Sequence, residues 1–159
     1  MTTVTDKMFI SAPVDRVYEC CWNAELWPKI TPHVREIEIV DAQADQQHMR
    51  MVVESEGKLY RLESTRTTVP GQRIFYRQNT PPDFLAEHCG EWRFYSAAGH
   101  TRIELTHQFV AKDTARQLLG LDPNVDVDAY IAIRLKKNGL LTLSAIKQML
   151  EQEKQPNQA

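Results

Sequence analysis

Cysteine is scarce and badly placed for crosslinking. Cys20 and Cys21 are adjacent and Cys89 makes the count odd, so no disulfide framework is expected. Reduced thiols and a cytoplasmic setting follow. No CxxC or HExxH spacing offers metal ligands, and no cofactor is expected. No window reaches the apolar length of a transmembrane helix, so membrane insertion is not expected. The opening MTTVTDKMFI lacks a basic stretch followed by an apolar one, so no signal peptide is read there. Positive charge is in no excess. Lys and Arg number 19 against 21 Asp and Glu, a net charge of −2, which argues against nucleic acid as a partner. There is no internal repeat and no low-complexity segment.

What remains is an ordinary soluble composition, 42% hydrophobic and 25% charged, in a chain long enough for one domain with a real core. That domain is expected over 1–152, followed by a polar tail, 153–159. The dominant feature is Val125 to Glu151, which has no proline, one glycine (Gly139) and apolar residues at helical spacing. Asp122 or Asn124 is expected to cap this helix, with Pro123 at its entry. Val127, Ile131, Leu135, Thr142, Ala145 and Met149 form one stripe, with Arg134 and Asn138 in its middle. Ile133, Leu140, Leu143 and Leu150 form a second. A helix apolar on two sides needs a large partner surface.

The preceding chain can supply one. Residues 3–11 read as a strand, and Pro13 opens a short helix whose apolar face is Val14, Val17, Tyr18 and Cys21. Leu26 to Ile30 reads as a second short helix or turn. From Val34 the period changes to two, and six strand-like runs follow to Ala111, the first ending after Ile39 and the others broken at Gly57, Pro70-Gly71, Pro81-Pro82 and Gly99. Short links imply antiparallel pairing, and segregated strands and helices imply an α+β fold. Residues 112–124 read as a loop at the rim of any cavity.

Alternation assigns faces. Tyr60, Leu62, Ser64 and Arg66 share one face; Ile103, Leu105, His107 and Phe109 share another; His88, Gly90, Trp92 and Phe94 align. Gly90 leaves space beside Trp92 or marks a bulge. Taken singly, His88 or His107 reads as a core histidine bonded to a carbonyl, and Arg134 as snorkelling to the rim. Arg66 is harder to accommodate, because an inward guanidinium without a partner is very costly. Asp126 or Asp128 could reach it; otherwise a wet cavity must solvate it, and three inward ionisable groups together favour the cavity.

The pattern Ile10-Ser-Ala-Pro-Val-Asp-Arg-Val-Tyr18, then Trp27-Pro28, Pro82-x-Phe84, Gly90-x-Trp92-x-Phe94, and Gly99-x-Thr101 running into Leu105-x-His107-x-Phe109 resembles the START-like (Bet v 1-type, helix-grip) superfamily, and within it the bacterial polyketide aromatase/cyclases. The resemblance spans roughly residues 4–152. It implies a seven-stranded antiparallel sheet wrapped around the C-terminal helix, with two short helices after strand 1 and a deep cavity between sheet and helix. It also implies a substrate, a poly-β-ketone delivered by an acyl carrier protein, and a reaction, regiospecific aldol cyclisation followed by dehydration to an aromatic ring. Arg66 matches the family's inward arginine and His107 its last-strand histidine, the expected catalytic pair. Tyr60, Ser64, His33, His88, Trp92, Phe94, Arg134 and Asn138 are expected to contact substrate. The sequence departs from the family pattern at His33-Val34, where an aromatic residue is common, and in 112–124.

On the residues alone, a guanidinium can hold a developing oxyanion and a histidine can move protons near neutrality. Much of the remaining effect would be confinement of a flexible chain. Two other readings use the same features. A carrier for a lipid, quinone or other hydrophobic molecule would use Arg66 and His107 only to orient a head group. An interaction module, such as a ribosome-associated one, would need a basic surface that the charge balance does not provide. A monomer and a homodimer are equally compatible with the sequence.

Overall fold

The computed structural model describes residues 1–153. Seven strands form one antiparallel sheet: β1 (Thr2–Ile10), β2 (Val34–Ala42), β3 (Gln46–Ser55), β4 (Lys58–Val69), β5 (Arg73–Thr80), β6 (Leu85–Ala97) and β7 (His100–Ala111). Their order is β1-β7-β6-β5-β4-β3-β2, so six strands follow one another as hairpins and β1 joins at the edge beside β7. Helices α1 (Val14–Trp22) and α2 (Trp27–Ile30) follow β1, α3 (Ala115–Leu119) follows β7, and α4 (Val127–Glu153) closes the described chain. This is the expected α+β helix-grip architecture.

Local chemistry accounts for the elements. Pro13 flanks α1 at its N-terminus, where its missing N–H costs nothing. Gly57, Gly71 and Gly99 take positive φ in the three tight hairpins that link β3 to β4, β4 to β5 and β6 to β7. Register shifts interrupt the β2–β3, β4–β5 and β6–β7 pairs, and such irregularities bend and twist a sheet.

Two apolar clusters sit under the two halves of α4. Leu143, Ile146 and Leu150 pack with Trp92, Phe94, Ile103, Leu105 and the buried face of α1. Ile131 and Leu135 pack with Tyr60, Leu62, Phe84, Leu85 and Phe109. Each such fully buried side chain stabilises by about 1.5–3 kcal/mol. Helix and sheet approach closely at Gly139, where an added Cβ would lie 2.8 Å from Leu105 Cδ2.

Several expectations need correction. Helix α4 starts at Val127, and its cap is Asp126, whose Oδ1 accepts the Ala129 N–H at 2.9 Å, not Asp122 or Asn124. Residues 112–124 are not all loop, since Ala115 is buried and anchors α3, which ends at Gly120 with φ 65°. Ile133 is 67% exposed. Ten residues separate it from Leu143, which at the helical repeat puts the two roughly 80° apart, so the second stripe cannot hold both. Glu153 of the expected tail continues α4, while the rest of that tail, 154–159, lies outside the described residues. No described helix is long and apolar enough to cross a membrane.

Candidate functional site

A cavity of about 140 Å3 lies between the sheet and α4. A single water needs only ~10–15 Å3 measured this way. The wall is mainly apolar and aromatic, with Trp27, Met49, Met51, Phe84 and Trp92 among its members. Polar side chains enter it in one cross-strand row and at two flanks.

The row follows from register. Gln47 on β3 pairs with Arg66 on β4, Arg66 with Tyr76 on β5, Tyr76 with Gly90 on β6, and Gly90 with His107 on β7. All five positions share the sheet face that turns towards α4, and Arg66, Tyr76 and His107 among them line the cavity itself. Gly90 is the gap in the row, and its strand pairing there is regular, so it is not a bulge. An added Cβ would lie 1.9 Å from Thr106 O and 2.7 Å from Tyr76 Oη. Tyr76 leans across that gap and reaches His107, with Oη 2.5 Å from Nδ1.

Arg66 is 1% exposed. No carboxylate meets it among the described residues; Asp128 instead accepts the Thr2 hydroxyl at 2.6 Å. Nor does water in a cavity have to solvate it. Nη1 donates to Trp22 O at 3.1 Å and to Gln47 Oε1 at 2.6 Å, and Nη2 donates to Cys21 O at 2.5 Å. Those two carbonyls end α1, where the helix dipole is negative. The guanidinium also lies 5.2 Å from the ring centres of both Trp22 and Trp27. Burial pushes its pKa down to about 10, which still leaves it cationic at neutral pH. Arg66 is therefore a fixed positive charge on the cavity wall, balanced by dipoles rather than by an anion.

His88 and His107 meet around Tyr76. Tyr76 Oη is 3.1 Å from His88 Nε2, the two histidines are 3.4 Å apart at Nε2 and Nδ1, and His88 Nδ1 is 2.8 Å from Gln78 Oε1. Burial lowers His107 to about 4; burial, and then the neighbouring His107, lowers His88 to about 3. Both rings are neutral at pH 7. Burial raises Tyr76 well above its ordinary value, so its hydroxyl keeps its proton. His107 Nε2 has no hydrogen-bond partner among the described residues.

Arg134 reaches the cavity from α4. It is 6% exposed and does not snorkel to the rim. Its Nη2 donates to Ser55 Oγ at 2.7 Å and to Tyr60 Oη at 3.4 Å, and its guanidinium lies 5.0 Å from the Phe84 ring centre. His33 approaches Thr142 Oγ1 through Nε2 at 3.2 Å, and burial holds it below the ordinary histidine range.

Arg66, His107, Tyr60, Ser64, His33, His88, Trp92, Arg134 and Asn138 thus all line one cavity. Phe94 does not. It lies in the core beside α1, edge-on to Tyr18 with ring centres 5.5 Å apart. Tyr76, Gln78 and Gln47 were not anticipated. Extending the alternation through β5 from Ile74 would have turned Tyr76 and Gln78 inward beside Arg66.

The model of the polyketide cyclase/dehydrase and lipid transport family matches residues 10–123, well over half of the sequence. The chain belongs to that family. A bifunctional cyclase/dehydratase of the actinorhodin polyketide synthase from Streptomyces coelicolor is 31% identical over 143 residues, covering 81% of this chain and 44% of the relative. Among solved structures, the di-domain aromatase/cyclase BexL of the BE-7585A biosynthetic pathway superposes with a TM-score of 0.85 at 28% identity, over 94% of this chain and 50% of BexL. The Zhui aromatase/cyclase from Streptomyces sp. R1128 gives 0.84 at 24% identity, over 94% and 93% of the two chains, and supports the fold. The chain spans about half the length of the curated relatives it matches.

Proposed function

We propose that this chain cyclises a poly-β-ketone in its cavity and assists dehydration to an aromatic ring. The observation that carries the reading is the cross-strand row, which puts a dipole-balanced guanidinium and a neutral imidazole with an unpartnered Nε2 on the wall of one mainly apolar cavity. A carbon between two ketones is acidic, and with Arg66 taking up the enolate charge a neutral histidine can accept its proton even though burial keeps that ring a weak base. His107 takes that proton, and the carbanion attacks a carbonyl carbon further along the chain. The electrons of that C=O bond move to oxygen, and the alkoxide takes a proton to become a hydroxyl. Loss of this hydroxyl with a neighbouring C–H proton yields water and a C=C bond. Arg66 stabilises the enolate and alkoxide charge without reorganising, because its three hydrogen bonds already fix it. Of five N–H groups, one on Nη2 and the one on Nε remain beyond those bonds.

An acyl carrier protein is the expected donor, since a poly-β-ketone does not persist free in solution. The free thiols of Cys20, Cys21 and Cys89 support a reducing, cytoplasmic setting. The domain is taken to run over 1–152, as one unit of a system whose relatives carry further sequence. In a minimal system producing a carrier-tethered poly-β-ketone, wild type is expected to replace the spontaneous shunt mixture with one dominant aromatic product, and Arg66→Ala or His107→Ala to restore the mixture. An unchanged product pattern in all three would sink the proposal. The family's lipid-transport branch supplies the second reading; a stoichiometric lipid or quinone extracted from the purified chain, with no cyclisation, would favour it.

A further inference from the structure

We propose that Gln78 fixes the proton order along His88, Tyr76 and His107, so that the basic nitrogen of His107 is Nε2, on the ring edge beside Gly139. The catalytic consequence rests on the cyclase reading; the proton order is a property of the free chain.

The order follows from counting protons. Gln78 Oε1 only accepts, so His88 Nδ1, 2.8 Å away, carries a proton. A neutral imidazole has one N–H, which leaves His88 Nε2 as an acceptor. Tyr76 Oη is 3.1 Å from that nitrogen and has a single proton to give it. Only lone pairs then remain on Oη for His107 Nδ1, 2.5 Å away, so if every contact in the chain is a hydrogen bond the proton of that ring lies on Nδ1. His107 Nε2 is left bare. With the Gln78 amide turned over, its NH2 would donate to His88 and every later bond would reverse, ending in an N–H on His107 Nε2.

A second observation selects the same order. His107 Nε2 is buried without a partner and faces Gly139, where an added Cβ would lie 3.1 Å away. A buried N–H with no acceptor is the rarer and costlier defect, so a bare acceptor is favoured at that atom. Gly139 and His107 both line the cavity, and the missing side chain leaves that edge of the ring facing helix backbone. One amide on β5 thus selects between a base and an acid on the far side of the sheet. Gln78 is a positioning residue, acting through two side chains.

The test is long-range 1H–15N correlation of the 15N-labelled full chain at pH 7, with His88 and His107 assigned from His→Gln variants. The expected spectrum has both rings protonated at Nδ1, with His107 Nε2 bare. Gln78→Glu, which can only accept, is expected to keep this pattern. Gln78→Leu is expected to mix the two His107 tautomers and lower kcat about two- to tenfold at unchanged KM. An Nε2–H tautomer of His107 in wild type overturns the proposal whatever the variants do, as does a tautomer indifferent to Gln78→Leu. The expected tautomer in a chain that leaves poly-β-ketones untouched would uphold the proton order and overturn the cyclase reading. The wrong tautomer in an active cyclase would do the reverse.

Discussion

Each half of the core holds one buried arginine at the cavity, and the two are stabilised in different ways. Arg66, on the sheet, gives three hydrogen bonds to two α1 carbonyls and the Gln47 amide, and is flanked by two tryptophans. Arg134, on the helix, reaches only two hydroxyls, leaves Nε unpartnered, and is surrounded by the rings of Tyr60, Phe84 and Tyr130. Neither meets a carboxylate among the described residues. Inward charge is thus tolerated without an ion pair when helix-end dipoles or aromatic faces stand in for the anion. The difference also assigns tasks: Arg66 ties α1 to the sheet, whereas Arg134 covers apolar surface with a polar head.

The comparison breaks most visibly at Arg66. Arg66→Ala strands two carbonyls and an amide oxygen in the interior and is expected to cost about 3–5 kcal/mol, read by urea unfolding. A loss under about 1 kcal/mol would mean the bonds to α1 contribute little.

Adding charge between the arginines tests the same wall. His88 and His107 titrate near 3 and 4 in the folded chain and at the ordinary 6.5 when unfolded. The unfolded chain therefore binds protons first, so stability rises with pH between about 4 and 6.5 and is lost on acidification through that window. Going from pH 7 to 5 is expected to remove about 4 kcal/mol that the His88→Gln, His107→Gln double variant does not lose, measured by unfolding at each pH. Parallel pH profiles would show that the rings are not held neutral.

Closing the gap in the row comes next. Gly90→Ala places a methyl against Thr106 O and Tyr76 Oη and is expected to cost about 1–3 kcal/mol while breaking the Tyr76–His107 contact. A Tyr76–His107 contact left intact in the variant's structure would contradict this. The smallest effect is expected at the other arginine. Arg134→Met keeps packing against the three rings and should change stability by less than about 1 kcal/mol. A loss as large as that of Arg66→Ala would erase the distinction.

Much of this was legible before any coordinates. Period-two alternation turned Arg66, His107, His88 and Trp92 inward, because one buried sheet face fixes register. The long helix and its polar interruption at Arg134 and Asn138 followed from helical spacing. What could not be read was partnership. Nothing local announces that the end of α1, some 45 residues upstream, supplies carbonyls to Arg66. Phe94 shares the strand face of Trp92 but lies where α1 covers the sheet, so facing inward did not mean facing the cavity. Ile133 failed for a geometric reason, since a stripe drawn across ten residues drifts off the buried face. Tyr76 and Gln78 were within reach of the alternation argument, but only the Gly90 gap explains why Tyr76 extends to β7.

The most direct measurement is the single-turnover rate at which the purified chain closes a ring on a carrier-tethered poly-β-ketone, compared with His107→Gln. Wild type should accelerate closure over the spontaneous reaction, and the variant, with stability matched by unfolding, should lose about 10²–10⁴-fold of that rate. Equal rates for wild type and variant would contradict the assignment of proton transfer to His107, and no acceleration by wild type would contradict the cyclase itself.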